Sequence, residues 1–327
     1  MASSTSVVIA ALFANGAIAI LKFFGYLLTG SPAMLSEVYH SVSDTGNQVF
    51  LLVGIKYSGQ EASRSHPFGY GKAQFFYALL VSVMLFGIAG WESANHGLHA
   101  LQHPEPVSIG TATIPVVEAE IPGVWVNYAV LIGAIAFEAY ALAKAYKAIK
   151  IQMDRNGWTS IREAFGKSSD ITTLTAFTED TIAMAGAGIA LAGVYASRVT
   201  ENPVYDAASA FIIGLLLMGF AIALAWENKR LILGESLPKD AESPLRDTVA
   251  GWEGVENVAD FRTVFFGPQR LVVTADVAFE EGMDNEEIDD AITAIEAELK
   301  AMESSVKTVY IEPQVRGGVE GQASDAS

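Results

Sequence analysis

Long apolar segments alternate with short polar ones along the first 230 residues of the chain. The apolar segments run from about residue 7 to 28, 34 to 57, 73 to 98, 124 to 148, 171 to 196 and 204 to 226. Each is long enough to cross the roughly 30 Å apolar core of a bilayer as a helix that rises about 1.5 Å per residue. The pattern therefore predicts six transmembrane helices within residues 1–233.

From Gly234 onward the pattern becomes that of a soluble domain. It predicts a helix over 238–252, strands over 255–266 and 270–279, a helix that begins at the capping-box pair Asp284 and Glu287 and ends at 303, and a strand over 306–311. This order predicts a small open-faced α+β sandwich over 234–313. Residues 314–327 are rich in Gly, Ser and Ala and predict a disordered tail.

Composition agrees with a membrane protein. Hydrophobic residues make up 51% of the chain and charged residues only 17%, which differs from an ordinary soluble domain. The chain has no cysteine, so any metal must be held by His, Asp, Glu or backbone oxygens. A net charge of -17 argues against a nucleic-acid partner.

The second apolar segment carries ionisable residues at helical spacing. His40 and Asp44 are four residues apart, and Glu37 and Asn47 extend the same helix face. An ionisable group at mid-membrane costs roughly 2.5 to 3.5 kcal/mol by insertion scales, so such a stripe needs a reason. One imidazole nitrogen and one carboxylate are half of a tetrahedral site for zinc or a similar divalent ion. A hydrogen-bonded structural pair is the alternative interpretation.

Polar residues in the other apolar segments are further candidates. Glu138 and Lys22 are predicted to form a buried ion pair that orients helices, with a proton relay as the alternative. His96, His99 and His103 follow one another at spacings of three and four residues, which would suit a weak metal site on the exit side or ordinary histidines at a membrane boundary.

Basic residues are concentrated in the loops near 56–72 and 144–167 and directly after the sixth segment. By the positive-inside rule both termini are cytoplasmic. We therefore expect an integral membrane protein, placed in a bacterial inner membrane and surrounded by lipid.

Several motifs together resemble the cation diffusion facilitator family. They are Ala33 to Gln48 with His40 and Asp44, the loop His66 to Lys72, Glu179-Asp180, and Asn202 to Asp206. The resemblance covers nearly the whole chain and is greatest to the branch that includes an animal mitochondrial zinc exporter. It implies a homodimer of six-span protomers, each with a cytoplasmic ferredoxin-like domain, that exchanges divalent metal for protons without a permanently bound cofactor.

Carried over by position, His40 and Asp44 match the second-span half of the family's transport site, and Asp180 matches its fifth-span aspartate. Many members have a histidine or aspartate four residues before that aspartate, where this chain has Ala176. Glu179, water or a residue on another span could therefore supply the fourth ligand.

The identity of the ion stays open at this point. An imidazole ligand favours zinc over magnesium and calcium, but manganese, iron and cobalt remain alternatives. A metal-sensing membrane scaffold is a second class, although residues 234–327 contain no histidine. An intramembrane metallohydrolase is a third class, but the chain lacks the His-Glu-x-x-His motif, and we expect no enzyme activity.

Overall fold

The computed structural model describes residues 2–104, 111–114, 119–167 and 171–314, which fold into two compact units. The first unit draws on residues within 1–56, 76–158 and 172–229, and the second on residues within 57–75, 159–171 and 230–327. Apart from Gln314, the predicted tail lies outside the described residues.

Long helices form the first unit, because each apolar segment of the sequence folds as one continuous helical stretch. In chain order they are α1 (Ala2–Thr29), α2 (Pro32–Ser58), α3 (Ala73–Met84) continued by a π-helical segment (Leu85–Trp91) and α4 (Glu92–Gln102), α5 (Gly123–Asn156), α7 (Ile171–Thr200) and α8 (Val204–Leu233). A short antiparallel hairpin, β1 (Thr111–Ile114) and β2 (Ala119–Pro122), precedes α5 and was not expected from the sequence.

Four stretches among the described residues are long and apolar enough to cross a membrane, namely 73–102, 123–154, 176–200 and 204–233. In α1 the apolar stretch found is the shorter Asn15–Thr29. Helix α2 is long enough, but its polar stripe lowers its hydropathy. The protein is therefore a membrane protein with apolar helices, while the count of six spans stays a prediction.

Two glycines bring α4 and α8 into backbone contact. A Cβ atom on Gly97 would lie 2.4 Å from the backbone nitrogen of Phe211, and one on Gly214 would lie 2.3 Å from the backbone nitrogen of Ala94. Both distances are far inside van der Waals contact, and backbone atoms cannot move aside as a side-chain tip can. Glycine at these two positions therefore permits the close helix packing that stabilises membrane bundles.

The second unit is built on a three-stranded sheet of β3 (Val255–Gly267), β4 (Arg270–Phe279) and β5 (Val306–Gln314), in the order β3-β4-β5. Strand β4 pairs antiparallel with β3 and parallel with β5. Helices α9 (Lys239–Ala250) and α10 (Asn285–Met302) contribute Val249, Ile295 and Leu299 to its buried core. Asp284 and Glu287 form the predicted capping box at the start of α10.

The short helix α6 (Ile161–Lys167) lies in a loop that the sequence analysis left without structure. Its start was readable, since Ser160 Oγ accepts a hydrogen bond from the backbone N–H of Glu163, and the Glu163 carboxylate accepts one from the N–H of Thr159. The first contact is that of a Ser-x-x-Glu capping sequence, whereas the second is made one residue before the capping serine, at Thr159.

The loop that joins α2 to α3 belongs to the second unit. A Cβ atom on Gly71 would lie 2.1 Å from the carbonyl oxygen of Phe266, at the turn between β3 and β4. Phe68 packs on the Phe266 ring with centroids 4.8 Å apart, and Lys72 Nζ donates to the carbonyl of Ile232 at 3.3 Å. The proline and glycines of this loop therefore serve a defined packing contact.

The glycine contact between α4 and α8 gives the first prediction. We expect Gly214→Ala to lower the free energy of unfolding by about 1 to 3 kcal/mol, because the new methyl group overpacks a backbone contact. Gly219→Ala, on the same helix but with open space around its Cβ position, is the matched control and should be neutral or gain up to about 1 kcal/mol. Thermal unfolding of the two variants in detergent checks this, and equal midpoints would contradict the packing argument.

Candidate functional site

Helix α2 places a polar stripe inside the first unit. Glu37 and His40 are 0% and 3% exposed, and the Asp44 side chain is 15% exposed. At about 1.5 Å per residue, Glu37 lies roughly 5 Å along the helix from His40 and roughly 10 Å from Asp44. The polar residues recur about once per helical turn and therefore form one continuous, largely buried face of α2.

His40 is a buried histidine on the polar face of α2. Its Nδ1 lies 3.5 Å from Asp44 Oδ1, and within the described residues neither ring nitrogen has a hydrogen-bond partner. A structural histidine in an apolar setting would be hydrogen-bonded, since leaving a buried polar group unpaired costs about 1 to 3 kcal/mol. The imidazole thus combines one long contact to Asp44 with unused hydrogen-bonding capacity, which suits a residue that binds a ligand.

Helix α7 brings its acidic pair to the same region. Asn47 Nδ2 on α2 donates to Glu179 Oε1 at 3.1 Å, so the two helices meet at this level. Glu179 and Asp44 also interact electrostatically, as do Asp44 and Asp180. Ala176, one turn earlier on α7, is exposed.

A small cavity is lined by Glu179 but not by the adjacent Asp180 of α7. Its volume is about 10 Å³, close to the minimum for one water molecule. Ser43, Asp44, Asn47 and Glu179 form its polar lining, together with the apolar side chains of Val81, Leu85, Phe220 and Leu224. Asp180 does not line it, because adjacent helical residues point about 100° apart.

The candidate ligand residues lie too far apart in this structure to bind one ion together. In the part of the chain that the structure describes, no group of three or more His, Asp or Glu side chains is close enough to hold a metal ion. His40, Asp44, Glu179 and Asp180 form a loose constellation, which would require side-chain movement to coordinate one ion.

The ion pair predicted between Lys22 and Glu138 is wrong. Lys22 Nζ lies 2.7 Å from Glu37 Oε2 and donates a second hydrogen bond, of 2.9 Å, to Ser41 Oγ. Glu37 follows the same helical face as His40 and is the nearer partner across the α1–α2 turn. Glu138 on α5 is half-buried and interacts electrostatically with Asp44, His40 and Lys22, but it forms no ion-pair contact with Lys22 among the described residues.

The three histidines of the third apolar segment lie at the end of α4. His99 and His103 have ring centroids 4.9 Å apart, and both are exposed, while His96 is half-buried. In the described part of the chain they do not form a three-ligand metal group.

Asp206 was overlooked as a connector between helices. Its Oδ1 accepts hydrogen bonds from Ser31 Oγ at 2.9 Å and from the backbone N–H of Ala33 at 3.0 Å. An acid in the first turn of α8 thereby caps the start of α2 and fixes the end of the bundle at which residues 29–32 and 200–204 form turns. We call this end the turn end.

Comparison with known proteins places this geometry in context. The model of the cation efflux transmembrane domain matches residues 8–233. The human mitochondrial proton-coupled zinc antiporter SLC30A9 is 28% identical over 274 residues, which cover 84% of this chain and 46% of that protein.

Two further relatives are of similar distance. Metal tolerance protein C4 of Arabidopsis thaliana is 28% identical over 276 residues, with 84% of this chain and 57% of that protein covered. The cation-efflux pump FieF of Klebsiella pneumoniae is 25% identical over 268 residues, with 81% and 77% covered. The chain spans about half the length of the SLC30A9 relatives it matches. Since the matched transmembrane domain is well over half of the chain, the chain belongs to the cation efflux family, also called the cation diffusion facilitators.

Proposed function

We propose that this protein moves divalent metal ions across a membrane in exchange for protons, with zinc as the preferred ion. The observation that carries the proposal is the buried His40 imidazole, whose two nitrogens have no hydrogen-bond partner among the described residues, beside carboxylates from α2 and α7. Proteins of this family are transporters rather than enzymes.

The exchange follows from ligand chemistry. His40, Asp44, Glu179 and Asp180 bind metal in their deprotonated forms, so an arriving ion displaces protons and a departing ion allows them to return. Imidazole with carboxylates suits zinc but also accepts manganese, iron and cobalt, which is why selectivity has to be measured. The zinc assignment also draws on the printed name of the SLC30A9 relatives.

The donors lie apart in this structure, which favours alternating access. A transporter must bind its ion in one conformation and release it in another, and movement of α2 relative to α7 would open and close the coordination shell. In this scheme six membrane helices surround the site, residues 234–313 form a cytoplasmic ferredoxin-like domain, and two protomers form a homodimer. Both termini are on the cytoplasmic side of a bacterial inner membrane, and the direction of transport is export.

The second prediction tests the site. We expect Asp44→Ala and Glu179→Ala each to lower metal flux into proteoliposomes by at least about 100-fold, since even residues behind a ligand cost 10 to 100-fold. Because Glu179 shares the small cavity with Asp44, its loss should equal or exceed that of Asp180→Ala.

Asp154→Asn is the control for this series, since Asp154 is an exposed acid on α5. It should transport at the parent rate. Parent-like flux in a folded Asp44→Ala variant would remove Asp44 from the site, and a larger loss in Asp180→Ala would make Asp180 the main ligand from α7.

The third prediction concerns Ala176. A histidine there would stand one turn before Asp180 on the same face of α7 and could act as a nitrogen ligand. We expect Ala176→His to tighten zinc binding about tenfold, or about 1.4 kcal/mol, and to leave manganese binding almost unchanged. Binding isotherms for the two metals provide the measurement.

Thr178→His is the matched control, because position 178 points away from the Asp180 face of the helix. Unchanged zinc affinity in Ala176→His, or equal gains in both variants, would show that position 176 does not reach the ion.

A further inference from the structure

Among the described residues of the first unit, the Lys22–Glu37 ion pair is the most deeply buried charged contact that the proposed exchange does not use. Lys22 is 3% exposed and Glu37 is 0% exposed. Within the described residues, Glu37 Oε1 has no hydrogen-bond partner, and a Cβ atom on Gly186 of α7 would lie 3.0 Å from it. The pair thus links α1 to α2, and its carboxylate lies close against α7 at Gly186, where a larger residue would press on the carboxylate oxygen.

The pair lies on one side of the transport residues. Along α2, Glu37 is nearer to the turn end than His40 and Asp44, and α7 runs the opposite way, with Glu179 beside Asn47 and Gly186 beside Glu37. A metal ion that leaves His40 toward the turn end must therefore pass the level of Glu37.

A large cavity opens at the turn end. Its volume is about 400 Å³, and its polar lining includes Thr29, Asn127, Ser197, Arg198 and Asp206. Charged and amide side chains make such a space suitable for water and hydrated cations.

One face of α1 connects this cavity with the ion pair. Thr29 lines the cavity. Gly25 lies one helical turn further from the turn end, and Lys22 lies about one turn beyond Gly25. Asn127 fills the space beside Gly25, because a Cβ atom on Gly25 would lie 2.7 Å from Asn127 Oδ1. Asn127 Nδ2 also donates a hydrogen bond to Thr29 Oγ1 at 2.8 Å. Asn127 and the Lys22–Glu37 ion pair are therefore two polar barriers that lie between the large cavity and the level of His40.

We propose that the Lys22–Glu37 pair is the gate that closes the transport site toward the turn end. The inference rests on the proposed transport function and assigns positioning residues to it. A closed pair holds α2 between α1 and α7, and its buried charges are stable only while they are paired. Separation of the helices that carry them admits water to both charges and opens the route from His40 to the 400 Å³ cavity.

The absence of cysteine in this chain permits a direct test of access. Ser43→Cys places a single thiol beside Asp44 on the inner side of the gate, and Ser197→Cys places one in the large cavity on the outer side. A small, cationic, membrane-impermeant thiosulfonate is added to oriented vesicles from the turn-end side, and the rate of thiol modification is measured in full-length protein.

Disrupting the ion pair should increase the access of the reagent to position 43 but not to position 197. Glu37→Gln keeps the shape of the side chain and Lys22→Met removes the lysine charge, so in each variant one buried charge loses its charged partner. We expect the rate of thiol modification in Ser43→Cys to rise at least about tenfold in both variants. Modification of Ser197→Cys should change less than about twofold, since it lies outside the gate. Lys144→Met, which removes an exposed lysine of α5, is the matched control and should leave both rates unchanged.

An unchanged Ser43→Cys rate in folded Glu37→Gln protein would overturn the proposal and make the pair a structural contact only. Glu37→Gln decides the test alone if Lys22→Met does not fold. Labelling reports access and not transport, so the proposed function is judged separately by metal flux in the parent protein. If the labelling rates change as expected but the parent protein moves no metal, the ion pair still controls access to position 43, and the proposed transport function is wrong.

Discussion

Burial of ionisable side chains among apolar helices is the constraint on which the rest of this structure depends. In such surroundings a charge is stable only if it is paired, neutralised or bound to an ion. Lys22 and Glu37 satisfy this requirement as a pair. His40 is not satisfied in this way: among the described residues its ring nitrogens accept or donate no hydrogen bond, and its nearest carboxylate is that of Asp44, at 3.5 Å.

In the proposed exchange, the incomplete convergence of the four candidate ligands has a functional meaning. A resident structural zinc is held in a closed shell, whereas an ion in transit has to be released. The small cavity beside Asp44 and Glu179 and the closed Lys22–Glu37 pair on the turn-end side describe a site in which neither coordination nor exit is complete. One movement of α2 against α1 and α7 could change both features together.

The sequence predicted the elements well because periodicity is a local property. The buried face of α2 and the succession of two strands, a helix and a strand after residue 255 followed from spacing alone. Local spacing could not predict the partner of Lys22, or which of Glu179 and Asp180 lines the small cavity, because helix rotation and neighbour choice are set by packing among several helices. Lys22 did carry a usable signal, since a lone lysine in an apolar helix demands an acid, and Glu37 across the tight turn was the closest one.

Coupled flux is the most direct test of metal-for-proton exchange. Purified protein in sealed vesicles should move zinc when a proton gradient drives protons the opposite way, with an internal pH dye reporting proton movement in step with the metal. Collapse of the gradient should reduce the flux, and Asp44→Ala should abolish both signals. Zinc flux that is indifferent to the gradient, with no proton movement, would contradict the account.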